Sequence, residues 1–375
     1  MNFEKLDAYL QKLPSFGIPA CELAVSKDGV IVYRNGVGYS DVAKTKPVSN
    51  RDIYWIFSAS KVITCIAAMR LVEEGKLMLD DPVSKYIPEF AHIQVKQKDG
   101  TIVPAQNTMT VLHLFTMTGG LPGNAITPEM LEVITPTATT LDIVRSMAKI
   151  PMVFEPGTHY KYSFCHDVLA AVVEVASGMR FSDYLDTLIF KPLGITDIGF
   201  RPNADQQSRF SAMYTYHSGT VSVTPRENHN PFAFSLNYDS GGAGLFATVD
   251  EYIKIITAIA CGGTTADGYS ILKPETIAMM QKNYLCDDAL NNFVTPRTFG
   301  YGWGLCGRVH MNPDFSGSLS PVGEFGWDGA AAAFVLIDPT NRLAMYLGTH
   351  LWGCTYMYNR IHPTVRNLVY KGLQD

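Results

Sequence analysis

The chain lacks most of the features by which a binding or catalytic site declares itself. No apolar run is long enough for a membrane-crossing helix, and the opening MNFEKLDAYLQKLPSFG alternates charge with apolar residues, which reads as an amphipathic surface helix and not a secretory leader. No membrane partner is expected. There is no Cys-x-x-Cys: the seven cysteines stand at 21, 65, 165, 261, 286, 306 and 354, an odd number without a disulfide framework, which fits reduced thiols in a cytoplasmic protein. No His-Glu-x-x-His occurs and the nine histidines show no ligand spacing, so no metal is expected, and His166, His217 and His350 read as structural. The Gly-x-Ser-x-Gly elbow is missing, which turns away the α/β-hydrolase route to ester chemistry. Excess positive charge is missing as well: 30 Lys and Arg against 35 Asp and Glu give a net charge of -5 with no basic stripe, leaving nucleic-acid binding without an electrostatic footing. Repeats and low-complexity tracts are absent.

What remains is 375 residues, 47% of them hydrophobic, enough for a large core and a small-molecule site. Strands are expected over 21–25 and 30–38 around the turn Lys27-Asp28-Gly29, and over 331–337 and 343–350 around Asp338-Pro339-Thr340-Asn341. Helical periodicity recurs over 141–152, 164–178, 181–189, 249–261, 275–283 and 359–371. Residues 80–123, rich in turns, read as irregular cover. Strands at both ends with helices between predict a single catalytic unit over 1–375: a discontinuous α/β lobe from 1–54 and 296–375, a mainly helical lobe over 55–295, and a cleft where they meet.

The stretch 54–76, YWIFSASKVITCIAAMRLVEEGK, passes from an aromatic run into a helix with Val62, Cys65, Ile66, Met69 and Leu71 on one buried face and Gly75 as its stop. Lys61 follows Ser58 by one helical turn, so the amine and the hydroxyl point the same way at the helix start. A serine hydroxyl is a poor nucleophile until a neighbouring base takes its proton, and free N–H groups at a helix start suit a developing oxyanion. Spacing alone does not choose among Ser58/Lys61, Ser146/Lys149 and Ser270/Lys273, where composition leads to about one chance pair. Ser146 reads as part of a solvated helix face and Ser270 as the lead into the next helix.

Two further stretches carry weight. Tyr162, in Tyr160-Lys161-Tyr162-Ser163, follows the turn Glu155-Pro156-Gly157-Thr158; a tyrosine there either packs with its hydroxyl on a backbone carbonyl or projects into a cleft as an acid-base group beside a cation. Gly326-Trp327-Asp328-Gly329 precedes the 330–333 alanine run, where a glycine permits close backbone approach to a ligand or makes an ordinary hairpin. Gly302-Trp303-Gly304-Leu305-Cys306-Gly307 satisfies G-x-G-x-x-G, but no strand-then-helix unit surrounds it, so it reads as a glycine-rich strand and no dinucleotide cofactor is expected.

Together these motifs resemble the serine β-lactamase and penicillin-binding-protein-like family, in particular class C β-lactamases and, most closely, the family VIII carboxylesterases. Ser58-Ala59-Ser60-Lys61 matches Ser-x-x-Lys, Tyr162-Ser163 with Asp167 resembles the tyrosine motif, and Trp327-Asp328-Gly329 resembles the third. Supporting matches are Thr118-Gly119-Gly120-Leu121, Glu155-Pro156-Gly157, Ser240-Gly241-Gly242-Ala243-Gly244-Leu245 and Tyr301-Gly302-Trp303-Gly304. The resemblance implies a β-lactamase/transpeptidase-like α/β fold, an antiparallel sheet flanked by helices with a large, mainly helical insert. It also implies Ser58 as acylated nucleophile, Lys61 and Tyr162 sharing proton transfer, and the backbone N–H groups of Ser58 and Ala330 as oxyanion hole.

The departures indicate the substrate. Phe164 stands where class C enzymes have the asparagine of Tyr-x-Asn, and Trp327-Asp328-Gly329 replaces Lys-Thr-Gly, removing a positive charge suited to a substrate carboxylate. Trp327, Asp328, Gly329 and Phe164 are accordingly expected to form the substrate side of the cleft. The expected function is a serine hydrolase acting through an acyl-enzyme on small carboxylic esters, with acyl transfer on the same path. The alternatives are a β-lactamase or D-amino-acid peptidase on the same site, and, from another class, a non-catalytic acylated sensor or binding protein.

Overall fold

The computed structural model describes residues 1–265 and 267–374. Ala20–Lys27 and Val30–Gly38 form the first hairpin, turned by Asp28 (φ 53°) and Gly29 (φ 85°), the pair of left-handed residues that a short hairpin with strand-like twist requires. The far end of the chain returns to the same sheet as Tyr301–Gly304, Gly307–His310, Phe325–Gly326, Phe334–Asp338 and Leu343–Gly348. All seven strands are antiparallel. Tyr301–Gly304 and Val30–Gly38 lie at the edges, and Leu343–Gly348 pairs directly with Ala20–Lys27, Glu22 opposite Gly348 and Lys27 opposite Leu343.

Both faces of the sheet are covered, which is why its central strands read as continuous apolar runs. Leu23, Val25, Leu336, Met345 and Leu347 meet the terminal helices Glu4–Leu10 and His362–Gln374. The alternate residues Ala24, Val335, Ile337, Ala344 and Tyr346 meet Val249–Ala260. Each large side chain buried this way stabilises the fold by roughly 1.5–3 kcal/mol.

One charge is buried within that second layer. The Glu22 carboxylate is fully buried, accepting from the Tyr54 hydroxyl at 2.7 Å and from Arg34 at 2.5 Å, while Arg34 also reaches Asp250 at 2.7 Å. Burial pushes the carboxyl up to about 7, against the opposing pull of Arg34 and the Tyr54 hydrogen bond. The folded chain therefore holds a proton that the unfolded chain releases above the ordinary value of 4.5. This contribution to stability is complete below 4.5 and is lost as pH rises through about 7. Thermal melts of Glu22→Gln are expected to show a flatter Tm between those pH values than the wild type.

The expected helices appear as Thr140–Met147, Cys165–Ser177, Phe181–Leu185, Val249–Ala260 and Pro274–Met280, and the last as a π-helical turn, Met357–Ile361, running into His362–Gln374. The expectation that strands return only near the end is corrected. Ile53–Trp55, Phe246–Thr248 and Ile198–Gly199 make a small sheet, and a hairpin of Met213–His217 and Ser222–Arg226 pairs with Leu351–Trp352. The first three are two or three residues long, too short for alternation to register. The strand expected from residue 331 begins at Phe334, because Ala332 sits at φ 69°. Among the described residues no helix is long and apolar enough to cross a membrane, and all seven cysteines are free thiols.

Candidate active site

A 3-10 turn, Phe57–Ala59, leads directly into the helix Ser60–Glu73. Phe57 holds φ 46°, a strained value for a bulky residue, immediately before Ser58. Ser58 is half-buried while Phe57 and Ala59 are buried, so the hydroxyl stands at the open end of an otherwise closed turn. The helix was expected to bury one face; every residue from Ser60 to Met69 is buried instead, because Cys165–Ser177 packs on one side and the 240–245 loop on another. Lys61 is 3% exposed. Its Nζ lies 3.3 Å from Ser58 Oγ, donates to the Gly242 carbonyl at 2.6 Å, and sits 4.7 Å from the centre of the Tyr162 ring.

Tyr162 reaches this group from the loop before Cys165–Ser177. Its hydroxyl accepts the Trp327 indole N–H at 2.9 Å, so a side chain and not a backbone carbonyl is its partner. The indole in turn stands on Trp303, ring centres 4.5 Å apart, and Trp303 donates to the Phe115 carbonyl at 2.9 Å. This aromatic stack, with Tyr160 5.3 Å from Trp303, fixes the direction of the Tyr162 oxygen. Trp303 and Tyr160 escaped sequence reasoning as site residues, although both lie inside motifs that were singled out.

Gly329 explains how the third motif meets Ser58. A Cβ there would fall 2.5 Å from the Ile56 carbonyl, so only glycine lets this loop lie against the 56–58 turn. Ala330 follows it and packs with Phe57, Ala331, Phe246 and Trp352. The Tyr358 hydroxyl lies 2.7 and 2.9 Å from the Gly329 and Ala330 carbonyls, and accepts the Ala332 N–H at 3.2 Å, which anchors the loop from behind. The structure thus brings Ser58, Lys61, Tyr162, Trp327, Gly329 and Ala330 to one place.

Asp328 departs from expectation. Its carboxylate does not face a substrate; it pairs with Arg297 and, at 3.3 Å, with Arg308, and lies 3.9 Å from His362. The physical reason is strand alternation: with Trp327 turned toward Tyr162, the next residue must point to the opposite side. Burial raises the Asp328 carboxyl, but the charges of Arg297, Arg308 and His362 outweigh it and hold it below the ordinary range. Arg308 also meets Glu324 at 3.4 Å, and Arg297 stacks over Trp327 and Tyr358 at 5.6 and 4.4 Å. Neither arginine was legible as a neighbour of the third motif. Phe164 is 4% exposed, its ring edge-on to Phe234 at 6.1 Å, which leaves little of its surface for a ligand.

The other candidates separate cleanly. Ser146 is buried with its hydroxyl on the Ile143 carbonyl, not on a solvated face, and Lys149 is exposed. Ser270 donates to the Leu272 carbonyl. His166 is held neutral, its pKa pushed down to about 3 by burial and by the nearby Lys61 charge; His350, at about 4 through burial, bridges the Trp55 N–H and the Ser211 carbonyl. Among the described residues no three His, Cys, Asp or Glu side chains converge as metal ligands.

A serine hydroxyl, an amine and a phenol thus lie together beside an antiparallel sheet. The Beta-lactamase family model matches residues 6–354, and the chain belongs to that family of serine hydrolases. Among relatives, Protein Rv1367c of Mycobacterium tuberculosis is 29% identical over 334 residues, 84% of this chain and 82% of the relative. Esterase EstB of Burkholderia gladioli is 28% identical over 358 residues, 87% and 84% of the two. Among solved structures, EstCE1, described as a hydrolase with promiscuous acyltransferase activity, superposes with a TM-score of 0.81 over 98% of both chains at 24% identity, a likeness of fold.

Proposed function

We propose that the protein is a serine carboxylesterase acting through an acyl-enzyme. Ser58 Oγ attacks the ester carbonyl while its proton passes to the Lys61–Tyr162 pair. The oxyanion is held by the N–H groups of Ser58 and Ala330. Collapse breaks the ester C–O bond and the alcohol leaves with the transferred proton; a water then attacks the acyl-serine and gives a proton to the same pair, the acyl C–Oγ bond breaks, Ser58 Oγ takes that proton back, and the acid is released. An alcohol in place of that water would make the same step an acyl transfer. The observation that carries this reading is the Lys61 Nζ, 3.3 Å from Ser58 Oγ and beneath a Tyr162 whose oxygen Trp327 orients.

Charge balance favours neutral esters over anionic β-lactams or peptide C-termini. The arginines beside the third motif, Arg297 and Arg308, are matched by Asp328 and Glu324, so among the described residues a substrate carboxylate next to that motif would find no unmatched arginine. The names of EstB and EstCE1 point the same way. The test compares short p-nitrophenyl esters with a chromogenic cephalosporin. The esters are expected to be preferred in kcat/KM by at least about 100-fold, the scale on which an unpaired buried group is rejected. Comparable cephalosporin turnover would overturn the ester preference, and peptide mapping that finds no acyl or fluorophosphonate adduct on Ser58 would overturn the enzyme itself.

A further inference from the structure

Lys61 is aimed by a backbone carbonyl, and that carbonyl is itself held by a carboxylate with no evident part in the acyl-transfer steps. The 240–244 loop is wedged between the helices Ser60–Glu73 and Cys165–Ser177. A Cβ on Gly241 would fall 2.5 Å from the His166 carbonyl, and one on Gly242 would fall 2.3 Å from Asp167 Oδ2. Both glycines are therefore what lets the loop enter. Once inside, its carbonyls are taken one by one: Gly241 by the Thr64 hydroxyl at 2.7 Å, Gly242 by Lys61 at 2.6 Å, Ala243 by the Asn230 amide at 2.7 Å.

Asp167 organises the other side of that loop. It is 2% exposed and forms no salt bridge among the described residues. Its Oδ1 accepts from the Ser240 hydroxyl at 2.6 Å, the Tyr238 hydroxyl at 2.7 Å and the Gly242 N–H at 3.3 Å. A buried carboxylate is costly without hydrogen bonds, and here Oδ1 takes three from the 238–242 segment that carries the Gly242 carbonyl. The N–H and C=O of Gly242 thus connect Asp167 on one helix to Lys61 on the other.

We propose that Asp167 is a positioning residue for Lys61: by fixing the 240–244 loop it sets the Gly242 carbonyl that keeps Nζ between Ser58 Oγ and the Tyr162 ring. The proposal rests on the serine-hydrolase reading of the site. It touches no reacting atom, so its loss slows acylation without weakening substrate binding, and an amide that keeps an acceptor at Oδ1 restores much of the rate.

The test measures single-turnover acylation by p-nitrophenyl butyrate in wild type, Asp167→Ala, Asp167→Asn and Ser240→Ala, with adduct mass and thermal melts alongside. Asp167→Ala is expected to acylate at least about 30-fold more slowly with KM within about 3-fold, as a misplaced acid-base group costs rate before affinity, and Asp167→Asn to recover most of the loss. Should Asp167→Ala fail to fold, Ser240→Ala, which removes one donor to Oδ1 and the acceptor of the Ala243 N–H, is expected to slow acylation by about 5-fold or more. An adduct that forms on wild type and at the wild-type rate in every folded variant overturns the positioning role alone. A raised KM with unchanged rate does the same. No adduct on the wild type overturns the hydrolase reading, and this role with it.

Discussion

Ser58→Ala is expected to lower kcat/KM for short nitrophenyl esters by at least about 1,000-fold, because removing the nucleophile leaves only binding and oxyanion contacts to act on the substrate. The substitution removes one oxygen at a half-buried position, and among the described residues the only side-chain hydrogen bond it ends is the 3.3 Å contact with Lys61. The turn keeps its shape, since the strained φ belongs to Phe57 and the helix Ser60–Glu73 starts two residues later. A thermal melt close to the wild type is therefore expected beside the collapse in rate. The pairing is specific to this serine: Ser146→Ala removes a hydroxyl committed to the Ile143 carbonyl inside a helix, so its effect should appear in stability and not in turnover. Ester hydrolysis by Ser58→Ala at the wild-type rate would end the acyl-enzyme reading.

Sequence made the local half of this site legible and the long-range half illegible. Ser58 and Lys61 are one helical turn apart, so periodicity alone places their side chains together, and the structure puts them 3.3 Å apart. The hairpin at Lys27-Asp28-Gly29 was readable for the same reason, since two adjacent positions must take positive φ. Asp328 shows where local reading ends. It stands next to Trp327, but alternation turns it away, and its partners Arg297 and Arg308 lie 31 and 20 residues earlier in the chain. Nothing in the spacing of those arginines distinguishes a buried ion cluster from solvated charge. The bond between Trp327 and Tyr162 spans 165 residues, so no local pattern announces it. The burial of Ser60–Met69 on all sides was not anticipated: one buried face was expected, although the run from Val62 to Met69 is apolar or small nearly all round, the pattern of a core helix and not of a surface one.

Tyr162→Phe removes a single oxygen, and it is expected to lower kcat by at least about 100-fold, the usual scale for losing a positioned acid-base group. The geometry says why that oxygen matters. It accepts the Trp327 indole N–H at 2.9 Å, which fixes its direction, while Lys61 Nζ lies 4.7 Å from the centre of the same ring. Both contacts hold the phenol oxygen in one direction at the amine with which it is proposed to share the Ser58 proton. Packing would give a different signature. The ring keeps its place against Trp303, 6.2 Å away, and the stability cost is confined to a Trp327 N–H left without its partner, roughly 1–2 kcal/mol in a melt. Trp327→Phe separates the two effects, because it deletes the donor and leaves the phenol: a rate between wild type and Tyr162→Phe is the expected result. If Tyr162→Phe turns over esters as fast as the wild type while Lys61→Ala does not, the phenol is a packing residue and Lys61 alone takes the proton from Ser58.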